Sequence, residues 1–260
     1  MSKSVWISMI KKDEAAAQAV YKMISGYGLG VSGHFWKHDP ENMQWAGAVS
    51  EIAAKTNGLW LIVGDTGDFT PSVLRDLSLL ALSVQAQKAA QVPVMILTDK
   101  PESLKEKLPT PLSDAMVFSP DNPALGAKIT AKANLPLKPV SRPYRLNIHA
   151  MPKIGLWIEA GPPTGTWEGI IVGAGGNGAA IDAMGIGPAG QIPEKSVLEY
   201  PMRNMTLALA DLEFNAWAAQ NHVSETESVY VRIKGQPGAL LFGPFAPDAD
   251  ELDVYTLTLE

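Results

Sequence analysis

The 260-residue chain carries 21 Lys and Arg against 27 Asp and Glu, a formal net charge of -6, and is 46% apolar. This is enough to build one large core or two ordinary ones, and the acidic balance without any basic stripe argues against a nucleic-acid partner. Zero cysteines exclude disulfides, thiolate metal sites and cysteine nucleophiles together. No run approaches the ~18 apolar residues of a membrane span, so no membrane partner is expected. No signal-peptide pattern opens the chain, and the expectation is a soluble, cytoplasmic protein.

Residues 5–10 read as a first strand, and the loop Lys11-Lys12-Asp13-Glu14 leads into a helix over 14–25. Val20, Met23 and Ile24 give that helix one apolar face, and Gly26-Tyr27-Gly28 ends it. A second strand over 29–36 runs into Lys37-His38-Asp39-Pro40-Glu41-Asn42, and a helix is expected from about 43 to 55. Leu59-Trp60-Leu61-Ile62-Val63 is a continuous apolar run, which a strand buried on both faces requires. It ends at Gly64-Asp65-Thr66-Gly67-Asp68, a turn-rich loop with two carboxylates.

Pro71 suits the first turn of a helix, and 72–90 continues without Gly or Pro until the next apolar run at 92–97. Arg75 and Asp76 fall in that helix's first turn, near the carboxyl end of the preceding strand, where open parallel sheets place their ligand crevices. A short charged helix over 102–108, a short strand over 115–118 and a helix over 123–133 follow. Residues 1–134 therefore predict an α/β, flavodoxin-like domain, a five-stranded parallel sheet with helices on both faces. Residues 135–143 hold three prolines in nine and read as a linker. Residues 144–260 are short runs divided by Gly and Pro, which predicts a mainly antiparallel β domain, sandwich or barrel, with one helical segment around 214–220.

Gly173-Ala174-Gly175-Gly176-Asn177-Gly178 satisfies G-x-G-x-x-G after a strand-like run, but only Ala179 to Met184 separate it from Gly185-Ile186-Gly187-Pro188. A dinucleotide fingerprint needs a helix there, so a glycine-rich β-turn is the expectation. His34 and His38 share one strand end with Asp39 and Glu41; solvated loop histidines are expected and no metal site, which would need three or four ligands. No G-x-S-x-G elbow is present and Ser8 has no evident triad partners, so the sequence lends no support to serine hydrolysis. The strand tryptophans read as core, and Trp36 and Trp45 flank the second loop, where core packing competes with stacking on a ligand ring.

Val5-Trp6-Ile7-Ser8, then Lys12-Asp13-Glu14 with its helix, then Gly28-Leu29-Gly30-Val31, resembles the opening of bacterial Toll/interleukin-1 receptor (TIR) domains. The likeness runs on through 45–52 and 59–63 and covers about residues 4–120; the same segments look like nucleoside deoxyribosyltransferases. The resemblance implies a TIR-like nucleotide-binding protein, with NAD or a related nucleotide as ligand and cleavage of its N-glycosidic bond as the activity. In both families the catalytic acid is a glutamate early in the helix after the third or equivalent strand, and that position falls on Asp76. Aspartate shortens the reach by roughly 1.5 Å, where a 1 Å displacement costs about a hundredfold, yet it can still stabilise an oxocarbenium-like centre. The competing role is to complement the helix dipole or to pair with Arg75. With Asp76 facing the ribose, the implied substrate-binding residues are Ser8, Lys12, Trp36, Asp65 and Arg75, with Lys12 on phosphate and Trp36 on the base. The alternative is a non-catalytic interaction or signalling module that self-assembles through the α/β domain and docks a protein partner on the β domain.

Overall fold

The computed structural model describes residues 3–176, 178–246 and 253–260. They form two units, Met1–Val140 together with Glu260, and Ser141–Leu259. Among the described residues the first unit contains β1 (Ser4–Met9), α1 (Glu14–Ser25), β2 (Gly30–Phe35), α2 (Val49–Ile52), β3 (Asn57–Val63) and α3 (Pro71–Lys88). It continues with β4 (Ala90–Gln91), β5 (Val94–Leu97), α4 (Pro101–Lys105), β6 (Met116–Phe118), α5 (Leu125–Asn134) and β7 (Lys138–Pro139).

Strands β2-β1-β3-β5-β6 form one sheet in which every pairing is parallel. The expected α/β architecture is what the chain adopts. The centre is β3, buried at all seven positions. Val5, Ile7, Met9, Leu59, Leu61 and Val63 turn one face toward Ile24 of α1 and Ile129 of α5, and the two-residue alternation sends Trp6, Ser8, Trp60 and Ile62 to the other. From β1 to β2 the chain steps one way along the sheet and from β3 to β5 the other, so right-handed crossovers place α1 and α3 on opposite faces.

The helix starts follow from local chemistry. Asp13 caps α1 by accepting from the Ala16 amide at 2.9 Å, and Thr70 Oγ1 caps α3 by accepting from the Val73 amide at 3.3 Å, with Pro71 in its first turn. The helix expected over 43–55 is shorter than its pattern. A 3-10 turn at Gln44–Ala48, entered through Met43 in a left-handed conformation, precedes the four-residue α2; Gly47 within it is unfavourable in an α-helix interior and suits the tighter turn. In the proline-rich stretch, Lys138–Pro139 pairs antiparallel with Ala90–Gln91 as a short edge ladder, the position a strand proline tolerates.

The second unit contains β8 (Arg145–Met151), β9 (Gly155–Gly161), β10 (Thr166–Trp167), β11 (Ile170–Gly175), β12 (Ala180–Pro188) and β13 (Met202–Leu209). Then come β14 (Leu212–Ala219), β15 (Val223–Ser224), β16 (Glu227–Lys234), β17 (Ala239–Pro244) and β18 (Tyr255–Thr258). Strands β13-β14-β11-β17-β18 make one antiparallel sheet and β12-β16-β9-β8 another. The segment expected to be helical around 214–220 is strand β14. Its alanines favour a helix in isolation, but the tight turn at Ala210 brings Leu212 opposite Leu209, and β13 and β11 then pair with both edges of the segment. Pairing and burial of Phe214, Ala216 and Ala218 override local propensity.

A close approach inside the first unit gives a stability test. A Cβ on Gly58 would lie 2.1 Å from the Ala133 carbonyl oxygen, so β3 and the end of α5 can only pack with glycine there. Gly58→Ala is expected to destabilise the unit by about 1–3 kcal/mol, the usual range for overpacking, read as a lower urea midpoint at unchanged slope.

Candidate functional site

A cavity of about 480 Å³ opens at the carboxyl ends of β1, β3, β5 and β6, beside the point where the strand order reverses between β1 and β3. Its floor is apolar, with Met9, Val20, Val63, Leu97 and Leu125 among its lining. Its rim is carboxylate-rich: Asp13, Asp65, Asp68, Asp99 and Asp121 stand against Lys11. Several of these carboxylates are fixed by backbone donors. The amide of Asp65 donates to Asp68 Oδ2 at 2.9 Å, and that of Thr66 to Asp99 Oδ1 at 2.7 Å. The Thr66 bond, aided by the Thr66 and Thr98 hydroxyls, holds the Asp99 carboxyl below its ordinary range.

Of the residues expected at a site, only Asp65 lines this cavity. Ser8 is fully buried and its hydroxyl accepts from Trp60 Nε1 at 3.0 Å. Lys12 is exposed and approaches Glu14 at 3.8 Å, while its neighbour Lys11 reaches the rim. Trp36 is buried, its ring edge-on to His34 at 6.0 Å. The structure thus leaves Ser8, Lys12, Trp36 and Asp76 in four separate environments. His34 is no solvated loop residue: it sits half-buried on β2 between Trp6 and Trp36, and burial lowers its pKa.

Arg75 and Asp76 belong to a different polar cluster, at the first turns of α3. The Asp76 side chain is only 4% exposed; its Oδ2 lies 3.3 Å from His38 Nδ1 and its Oδ1 3.7 Å from Arg75 Nη2. Burial raises the Asp76 carboxyl above its ordinary range, with the Arg75 and His38 charges opposing. His38 Nε2 lies 3.2 Å from Ser72 Oγ, which also accepts from Arg75 Nη2 at 2.6 Å. The other guanidinium nitrogen, Nη1, reaches Glu260 at 3.4 Å. His38 is an exposed loop residue, as expected, and also has a partner at each ring nitrogen. Its pairing with Ser72 was missed because the two lie 34 residues apart and only the α3 crossover brings them together; Ser72 directly after the Thr70-Pro71 helix start was the available signal.

In the second unit, G-x-G-x-x-G opens no helix: Gly173 and Gly175 lie within β11, Gly176 and Gly178 take positive φ in the turn, and Ala180 begins β12. Asn177 lies outside the described residues. A buried carboxylate, Glu159 of β9, accepts from Ser228 Oγ at 2.9 Å and the Gly190 amide at 2.7 Å, and meets His149 Nε2 at 2.7 Å. Burial alone would raise its pKa, but these hydrogen bonds outweigh it and bring the group down to about 2. Tyr230, buried beside this charge, is pushed up to about 12.

Among the described residues no group of three His, Cys, Asp or Glu is placed to hold a metal ion, and no helix is long and apolar enough to cross a membrane. The chain matches no protein-family model and no curated protein.

Because the folded pKa of Glu159 lies below its ordinary 4.5, its stabilisation is present above about pH 4.5 and is lost as pH falls toward 2. The shift corresponds to about 3 kcal/mol at neutral pH. Glu159→Gln is expected to speed amide hydrogen exchange in β9 and β16 at pH 7 and to flatten its dependence on pH between 5 and 3.

Proposed function

We propose that the α/β unit is a small-molecule-binding module whose ligand occupies the crevice at the carboxyl edge of the sheet, and that this ligand is of the nucleoside class. One observation carries the reading: a cavity of about 480 Å³ with an apolar floor and a carboxylate rim stands beside the switch point of a parallel sheet. Cavities of a few hundred Å³ with an apolar lining and a few placed polar groups are where open α/β sheets take their ligands. A flat base fits the floor of Met9, Val20 and Leu125, and ribose hydroxyls donate to the aspartates of the rim.

The charge of the rim favours a nucleoside over a nucleotide. Five aspartates face one lysine around the opening. A diphosphate such as that of NAD would meet like charge with a single cation to offset it, so the nucleoside is the better fit. N-glycosidic cleavage through Asp76 draws no support from a carboxylate that is 4% exposed and lines no part of this cavity. Cleavage in this crevice would fall to a rim carboxylate such as Asp65.

Thermal shift and calorimetry on the whole chain test this. Adenosine and cytidine are expected to raise the melting temperature and to bind at least tenfold more tightly than NAD; saturation at a hundred times the dissociation constant corresponds to about 2.7 kcal/mol. Ala19→Trp, which places a large ring at an exposed position lining the cavity, is expected to abolish binding and leave the fold intact. No shift with any nucleoside, or undiminished binding in Ala19→Trp, overturns the reading. Nicotinamide or free base appearing in the same incubations reports the cleavage separately.

A further inference from the structure

We infer that Ser72, His38 and Asp76 form a second site in the α/β unit, a nucleophile, general base and orienting carboxylate for the hydrolysis of small carboxylic esters. The proton order follows from the donors. A guanidinium only donates, so Ser72 Oγ accepts from Arg75 Nη2 at 2.6 Å and its own proton is directed elsewhere. Asp76 Oδ2 lies 3.3 Å from His38 Nδ1, so the tautomer with its proton on Nδ1 faces the carboxylate and leaves Nε2 to accept the Ser72 hydroxyl proton at 3.2 Å. Nucleophile, base and orienting group are therefore in sequence, with separations of the kind seen before substrate draws such groups together.

The surroundings fit that assignment. Ser72 is in the first turn of an 18-residue helix, where its amide has no intrahelical acceptor and the helix dipole is positive. That amide and the Arg75 guanidinium supply charge where an oxyanion develops. The acid is buried and the base is not: 4% of the Asp76 side chain is exposed against 40% of His38. Arg75, Glu260 and Asp39 are the other charged groups around the cluster. With Ser72 half-buried and His38 open to solvent, the arrangement suits a short acyl group.

In the first half of the reaction Ser72 Oγ bonds to the acyl carbon while its proton passes to His38 Nε2. The bond to the leaving alcohol breaks, and the alcohol takes that proton. Water then attacks the acyl-serine, gives a proton to Nε2, and Oγ leaves and regains it, so ester and water become acid and alcohol. Ser72 and His38 are the catalytic residues; Asp76 is a positioning residue.

The experiment uses the whole chain with p-nitrophenyl acetate, and with a fluorophosphonate probe followed by peptide mass mapping. A single adduct on Ser72 is expected. Ser72→Ala and His38→Gln, both at positions outside the core, should retain the circular dichroism spectrum and lose at least a hundredfold in hydrolysis. Asp76→Asn is expected to lower kcat by about 10²-fold or more at little change in KM and to displace the acidic limb of the pH–rate profile, the limb on which a histidine base is lost by protonation. An unlabelled Ser72, or hydrolysis unchanged in both Ser72→Ala and His38→Gln, overturns the assignment. Nucleoside binding is measured on a different cavity, so the two results are independent.

Discussion

Burial of β3 on both faces is the constraint from which the rest of the α/β unit follows. A strand with every position buried needs a helical layer on each side, and right-handed crossovers allow only one arrangement of α1 and α3 about it. That arrangement separates two neighbourhoods. Residues after β1, β5 and β6 gather around the crevice on the α1 and α5 side, whereas the start of α3 meets the loop after β2. The loop after β3 serves both, since Asp65 and Asp68 turn to the crevice while Thr70 opens α3.

The fold was legible in the sequence where periodicity and punctuation agreed. The run at Leu59 to Val63, the Asp13 start and Gly26 end of α1, and Pro71 ahead of an unbroken α3 each carried two signals at once. It was not legible where tertiary pairing decided. Phe214 to Ala219 is rich in helix-forming alanine and reads as a helix until its neighbours on both edges are known. The short α2 likewise depends on a glycine and a left-handed methionine that a window average conceals.

The site was less legible than the fold, for a physical reason. A carboxylate at a helix start can be located from sequence, and Asp76 is where the alternation of strands and helices places it. What faces it cannot be, because His38 arrives on the loop after β2, outside the helix that carries both Ser72 and Asp76. Burial also reassigns residues that look available. Ser8 and Trp36 have the chemistry of ligand contacts, but the first satisfies an indole N–H inside the sheet and the second closes an aromatic cluster. The acidic rim shows the complementary effect: single aspartates after four different strands or at helix starts look like ordinary caps until the sheet collects them around one opening.

The two buried carboxylates have opposite proton affinities, and acid therefore acts on these two groups in opposite directions. Asp76 holds its proton more tightly in the folded unit than in the open chain, so its contribution is most favourable below its ordinary titration range and declines as pH rises. Glu159 releases its proton more readily when folded, so acidification withdraws its contribution to the β unit while it relieves Asp76 of a desolvated charge.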